Sequence, residues 1–382
     1  MIPRTLFSSD HDTFRDTVRK FLENEAVPHH EQWEQAGQVP REIWLKAGEQ
    51  GFLCPMVAEE YGGLGADFLY SVVVSEEISR AGLSGIGWGL HTEIVAPYVE
   101  HYGSETQKAH YLPKMVSGEV ITAIAMSEPA AGSDLQGIKT NAVRDGDGYL
   151  LNGSKTFITN GQNADMVIVV AKTDPHKGAK GISLFLLDVD TPGFEKGKNL
   201  KKVGMKAQDT SELFFQDVRL PKEALLGEEG KGFVYLMQEL PQERLGIAIN
   251  GLAMAESALE HTIRYVKERR AFGKAVAEFQ NTQFKLAEMH TELAVARAYV
   301  DRCLELHLQG KLDIPSAAAS KYYVTDLQCK VIDECLQLHG GYGYMWEYPI
   351  ARMFADARVQ RIYGGTNEIM KTIISRAILG NL

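Results

Sequence analysis

The strongest constraint on the fold is a change of period along the chain. Up to about residue 119 the apolar residues recur at helical spacing. Between 120 and 224 they fall in short β-rich runs broken by turn clusters. From about 225 helical spacing returns and is sustained to the end. A sequence of 382 residues exceeds one ordinary hydrophobic core, so each texture is expected to build its own unit. The reading is α+β, mainly α. It has an N-terminal helical domain at 1–119, a middle antiparallel β-barrel or sandwich at 120–224, and a C-terminal α-helical bundle at 225–382.

Within the first unit, Phe14, Val18, Phe21 and Leu22 mark a helix over 10–26 that Pro28 stops. Another helix is expected over 68–81, and Ser104-Glu-Thr-Gln has the form of a capping box. The middle unit is expected to hold strands at 149–152, 156–159, 166–171, 182–189 and 213–215, with turns at Asp145-Gly-Asp-Gly and Asn160-Gly. In the last unit Leu245, Ile249, Leu252, Ala255 and Leu259 form one stripe. The stretches 280–309 and 316–339 read as long helices.

A net charge of −10 argues against wrapping nucleic-acid phosphates, which takes clustered Lys and Arg. Cys54, Cys303, Cys329 and Cys335 have neither zinc-ligand spacing nor a disulfide pattern, so no metal is expected. No apolar run reaches the roughly 18 residues a membrane helix needs. The N-terminus lacks an apolar signal core, so a cytoplasmic location is the expectation, and an organellar protein numbered after cleavage would read the same. P-loop, HExxH, GxSxG and Rossmann fingerprints are absent, so a flavin or nicotinamide would have to be held some other way.

Glycine pairs at Gly340-Gly341 and Gly364-Gly365 interrupt sequence that otherwise reads as helix, and demand a turn or a close backbone approach. A second concentration of small and hydroxyl residues lies at 125–134 and 152–161. It supplies amides and hydroxyls for a polar ring edge, with Phe157 to stack beside it. A plain turn between strands would have the same composition.

Met126-Ser-Glu-Pro-Ala-Ala-Gly-Ser-Asp, Asn152-Gly-Ser-Lys-Thr-Phe-Ile-Thr-Asn-Gly, Arg269-Arg-Ala-Phe-Gly, Gln337-Leu-His-Gly-Gly-Tyr-Gly and Ile362-Tyr-Gly-Gly-Thr-Asn-Glu-Ile together resemble the signature segments of the acyl-CoA dehydrogenase flavoproteins, in order and spacing, across essentially the whole chain. The resemblance implies a C-terminal four-helix bundle and an FAD held between it and the strand unit. Met126 and Ser127 would face the flavin's pyrimidine side, and Phe157 and Thr159 would border its ring. Ser133 would lie near both flavin and the CoA pantetheine. Arg269, Phe272 and Gln280 would reach FAD across a subunit interface. Gln337 and Gly341 would hold the adenosine diphosphate, and Thr366 and Glu368 would complete the cofactor site. Partners implied are an acyl-CoA substrate, an electron-transfer flavoprotein and a homotetramer built as a dimer of dimers.

The sequence departs from the common pattern at one position. Where many members carry a catalytic glutamate, this chain reads Tyr363-Gly364-Gly365-Thr366. Long-chain and isovaleryl types place the base elsewhere, immediately before an arginine, and Leu240-Pro-Gln-Glu-Arg-Leu is similar to that segment, the long-chain type above all. Glu243 is then the base and Arg244 its neighbour beside CoA. An alternative needs no chemistry: after Pro241, an acid in a first helical turn favours the macrodipole. Arg244 has a similar alternative as a surface ion pair. The loss at 364 matched by the gain at 243 favours the base. Gly364 retains a part through its backbone N–H, which with a flavin hydroxyl would stabilise the thioester oxygen, and Tyr363 borders the substrate. The implied reaction is α,β-dehydrogenation of an acyl-CoA to a trans-2-enoyl-CoA, with medium or long chains favoured. Branched isovaleryl or citronellyl substrates, an oxygen-using oxidase and a non-catalytic flavin-bearing assembly protein are the competing readings.

Overall fold

The computed structural model describes residues 3–380. Its N-terminal part is helical: α1 (Ser9–Glu25), α2 (His30–Ala36), α3 (Arg41–Glu49), α4 (Phe68–Arg80), α5 (Ala96–Tyr102) and α6 (Glu105–Ser117). The capping box at the start of α6 is formed: Ser104 Oγ accepts from the Gln107 amide at 3.3 Å, and Gln107 Oε1 accepts from the Ser104 amide at 2.9 Å. Helix α4 is buried over most of its surface, including Glu76 and Glu77. These acids are tolerable because Arg4, Arg15 and Arg297 meet Glu76, and Arg15 and Arg19 meet Glu77. A wide π-type turn at Leu90–Val95 precedes α5.

The middle part is one sheet of β1 (Thr122–Ala125), β2 (Asn141–Asp145), β3 (Gly148–Thr159), β4 (Met166–Lys172), β5 (Ile182–Asp188), β6 (Phe194–Asn199), β7 (Thr210–Leu220) and β8 (Leu225–Leu226). Its order is β6-β7-β3-β2-β4-β5-β8, with β1 added on β4. The expected runs at 149–152 and 156–159 are one strand, broken in register near Gly153 and again before Ile158. The expectation of a wholly antiparallel sheet is corrected: β1 runs parallel to β4, and β2 meets β4 in parallel at Asn141 and Lys172. Parallel neighbours need a long crossover, and here the β2–β3 hairpin serves as that connection.

Side-chain alternation along β4 places this sheet in the molecule. Val167, Val169 and Ala171 pack with Leu151, Leu213 and Val218 of β3 and β7, so the sheet folds over its own core. Met166, Ile168 and Val170 point the other way, onto Tyr98, Val99 and Leu112 of α5 and α6. Both faces of β4 are dry, which accounts for its continuous apolar run.

The C-terminal part holds α7 (Gly232–Glu268), α8 (Gln280–Leu308), α9 (Ile314–His339), α10 (Pro349–Ala357) and α11 (Asn367–Leu379). Helices α7, α8, α9 and α11 pack together, and the Leu245–Leu259 stripe meets Met289, Leu293, Val324 and Val331. Helix α7 also packs on α4. It runs through Pro241 without ending, although that residue has no amide to bond to the Met237 carbonyl. No helix of the described residues is long and apolar enough to cross a membrane.

Candidate active site

Where α4, α7, the strand unit and the turn before α11 meet, a cavity of about 490 Å³ opens. Its chemistry centres on Glu243. Because α7 begins at Gly232, Glu243 lies about three turns inside the helix, and the first-turn explanation for its charge is removed. Its side chain is buried, 7 % exposed, and lines the cavity. Burial pushes the carboxyl up to about 7, while the Tyr98 hydroxyl and Arg244 pull it back down. Tyr98, fully buried on α5, donates to Glu243 Oε1 at 3.0 Å. A carboxylate so placed is dry, oriented and basic enough to take a proton near neutral pH.

Arg244 is buried as well, so the surface ion-pair alternative fails. Desolvation lowers its pKa, and its Nε–H donates to the Gly364 carbonyl at 3.5 Å. Gly364 and Gly365 have φ of 63° and 91°, a left-handed turn that explains this glycine pair. A Cβ at 364 would lie 2.3 Å from Ile247 Cδ1, so a side chain there would have to displace that methyl as well as adopt the left-handed φ. Both Gly364 and Tyr363 line the cavity, and the Gly364 amide has no hydrogen-bond partner among the described residues. The buried carboxyl and the open donor thus face one space.

The same cavity collects Met126, Ser127, Ser133, Phe157 and Thr159. Phe157 is 69 % exposed and held at φ 61°, a conformation that costs an aromatic residue of order 1–3 kcal/mol and persists where surroundings impose it. An exposed strained ring, with the Ser127 and Thr159 hydroxyls unpaired among the described residues, suits a planar heteroaromatic with a polar edge. A second cleft of about 540 Å³ gathers Arg269, Gln337 and Gly341. Gly340, at φ 61°, caps α9, and a Cβ at 340 or 341 would meet nothing within 4 Å, which leaves a cradle for a bulky anionic group. These residues fit FAD. Phe272, 96 % exposed, and Gln280 on the surface line neither space, and nor do Thr366 and Glu368. Thr366 is occupied as the N-cap of α11, accepting from the Ile369 amide at 3.3 Å.

Family models for the acyl-CoA dehydrogenase N-terminal, middle and C-terminal domains match residues 8–119, 123–218 and 230–379. The chain belongs to the acyl-CoA dehydrogenase family. It is a flavoprotein oxidoreductase of acyl-CoA dehydrogenase type. Over 378 residues it is 56% identical to the mitochondrial long-chain specific acyl-CoA dehydrogenase of Sus scrofa, covering 98% of this chain and 88% of that one. An acyl-CoA dehydrogenase from Geobacillus kaustophilus, solved by crystallography, superimposes with a TM-score of 0.97 at 55% identity, covering 98% and 100% of the two chains. A Bacillus anthracis acyl-CoA dehydrogenase complexed with FAD matches at 0.92 and 34%, covering all of this chain and 71% of that one.

Three contributors to this family site escaped the sequence reading. Tyr98 is 145 positions from the carboxyl it contacts. Lys155, fully buried, donates at 2.9 Å both to the Met126 carbonyl and to Glu128 Oε1, whose oxygens also take the Lys139 and Thr140 amides. One ion pair thereby locks the 126–134 loop to β3. Its signal was the Glu and the Lys inside the two signature segments. The third is Glu93, which the π-type turn brings into the cavity lining.

Proposed function

We propose that this chain binds FAD and dehydrogenates an acyl-CoA thioester between Cα and Cβ, giving a trans-2-enoyl-CoA. The observation that carries the reading is a buried Glu243 carboxyl, raised to about 7, across one cavity from the unpaired Gly364 amide. Glu243 removes the pro-leaving proton from Cα. Tyr98 holds the carboxylate on line, and ionisation is favoured by that hydrogen bond. As charge develops on the thioester oxygen, the Gly364 N–H donates to it, a contribution typically worth about 10²- to 10³-fold in rate. When bound, FAD supplies the acceptor for the hydride leaving Cβ. Arg244 and the Gly364 carbonyl fix the turn that carries this amide, and Tyr363 borders the thioester.

Met126, Ser127, Ser133, Phe157 and Thr159 hold the flavin, Ser133 also meeting the pantetheine. Arg269, Gln337 and Gly341 hold its diphosphate end. Phe272, Gln280, Thr366 and Glu368 complete the cofactor site with a neighbouring subunit, in a homotetramer that passes electrons to an electron-transfer flavoprotein. The surface exposure of Phe272 and Gln280 supports that assignment. The units meet near 119/120 and 224/225, and a medium or long acyl chain is favoured. Anaerobic titration of the yellow protein with acyl-CoAs of graded length tests the proposal. Bleaching of the flavin is expected, and a fully flavinated protein that no thioester bleaches refutes it.

A further inference from the structure

Glu93 is a second buried carboxyl in the cavity, and the reaction does not use it. It sits on the π-type turn at Leu90–Val95, a local irregularity of the kind that re-aims side chains at functional sites. The turn is pinned, because Gln242 Nε2 on α7 donates to the Glu93 carbonyl at 2.7 Å. One carboxyl oxygen, Oε1, accepts from the Ser75 hydroxyl of α4. The other, Oε2, has no donor among the described residues and is open to the cavity. It faces the bare backbone of α7 at Gly246, where a Cβ would come within 2.9 Å of it. Among the described residues no cation offsets this charge: burial and the Ser75 hydroxyl are what act on the carboxyl.

Gly246 is three residues beyond Glu243, so Glu93 meets α7 about 4.5 Å further along its axis than the base. The cavity is lined by the exposed loop carrying Ser133 and Asp134 and also by Ser79 of α4 and by Asn250 and Met254, which follow Glu243 along α7. An acyl tail that enters from that loop and presents Cα to Glu243 therefore passes Glu93 with its next few carbons. Beyond it the polar wall continues, as Ser79 Oγ donates to Asn250 Oδ1 at 3.1 Å. A methylene here would desolvate an unpaired carboxyl oxygen, whereas a polar substituent would pair with it.

We propose that Glu93 is a specificity-determining residue of the acyl chamber, and that the thioesters this chain selects carry a hydroxyl on the tail a few carbons beyond Cβ. The proposal rests on the reading of the cavity as an acyl-CoA dehydrogenase site. Burial holds the Glu93 carboxyl near 7, so both protonation states are populated at neutral pH. A hydroxyl both donates and accepts, and pairs with either state. An oxo group pairs only with the acid, and a terminal carboxylate is repelled by the ionised form.

The test compares kcat/KM for a saturated acyl-CoA and its isomers bearing one hydroxyl at successive carbons, in the FAD-loaded wild type and in Glu93→Leu and Glu93→Gln. Bound flavin per subunit reports on folding. In the wild type the best hydroxylated isomer is expected to exceed the saturated chain by about tenfold or more. In Glu93→Leu the ratio should invert, with the saturated chain gaining. In Glu93→Gln, which keeps a hydrogen-bonding group of the same shape, it should stay above one. A ratio of one in the wild type, an unchanged ratio in a flavin-replete Glu93→Leu, or a ratio of one in Glu93→Gln overturns the proposal while leaving the dehydrogenase reading intact. If no thioester, hydroxylated or not, bleaches the wild-type flavin, both readings fall together.

Discussion

Removing the Tyr98 hydroxyl isolates how the site makes its base. Tyr98→Phe keeps the ring in its buried place on α5 and deletes only the 3.0 Å bond to Glu243 Oε1. That bond favours the ionised carboxylate, opposing the burial that has raised the carboxyl to about 7. A hydrogen bond to a charged acceptor is worth about 1.5–3 kcal/mol, and one pH unit corresponds to about 1.4 kcal/mol, so its loss should raise the pKa by about one to two units. At pH 7.5 the ionised fraction would then fall by about three- to 25-fold, and kcat/KM with it. Glu93 is also held near 7, so the experiment is cleanest in a Glu93→Gln background, where the other buried cavity carboxyl, Asp356, raised by burial to about 6, is common to the parent and the Tyr98→Phe variant. The assay is kcat/KM against pH with an artificial electron acceptor. The expected result is a limb rising with pH, displaced upward in Tyr98→Phe and meeting the parent curve at high pH. An undisplaced limb refutes the role given to Tyr98. A uniform loss at every pH would mean that the hydroxyl positions the carboxylate rather than tuning it.

Glu243→Gln is expected to keep its flavin and lose about 10²- to 10⁴-fold in the rate of flavin bleaching by substrate, as measured by stopped-flow. The same variant should change stability with a definite sign. A carboxyl raised from the ordinary 4.5 to about 7 by folding favours the native state only while protonated. Its ionisation therefore destabilises the fold progressively between those values, by up to about 3 kcal/mol above pH 7. Urea unfolding should find Glu243→Gln more stable than wild type at pH 8 and equal to it at pH 4.5. Lys155→Met leaves Glu128 buried without its cation, and should lower unfolding free energy by about 3–5 kcal/mol and reduce flavin retention on dialysis. Gly364→Glu in the Glu243→Gln background should stay inactive and unfold more easily, because φ 63° and Ile247 both oppose the side chain. Adding Ile247→Ala should recover part of the stability and some bleaching, and no recovery in a folded triple variant would count against the equivalence of the two base positions.

The helices were legible because a 3.6-residue period is written locally: 10–26, 68–81 and 280–309 fell within a residue or so of α1, α4 and α8. The strand unit was legible only as a class. Strand β6 reads Phe-Glu-Lys-Gly-Lys-Asn and β2 Asn-Ala-Val-Arg-Asp, and neither is rich in the β-branched residues that mark a strand. Their places come from partners in β7, β3 and β4, and the parallel direction of β1 on β4 is a property of the connection rather than of the residues. Pro241 misled in another way. A proline in an apolar period ordinarily reads as a boundary, yet the packing of α7 on α4 and α9 carries the helix through it.

The positions proposed as catalytic lie on two elements, and they illustrate what local sequence reading leaves out. That Glu243 and Gly364 belong together was inferred from a complementary loss and gain, and the packing supplies the physical reason. With glycine at 364 in a left-handed turn, the Ile247 side chain of α7 fills the space a residue there would need, and its neighbour on the previous turn, Glu243, takes the buried wall of the cavity. A side chain at 364 would have to displace the Ile247 Cδ1 methyl and accept φ 63°, so Gly364 suits the packing of α7 as it stands. Of the other buried carboxyls in the cavity, Asp356 is engaged by the Met205 amide, and Glu93 needs a separate explanation, because it occupies wall that chemistry does not require to be polar.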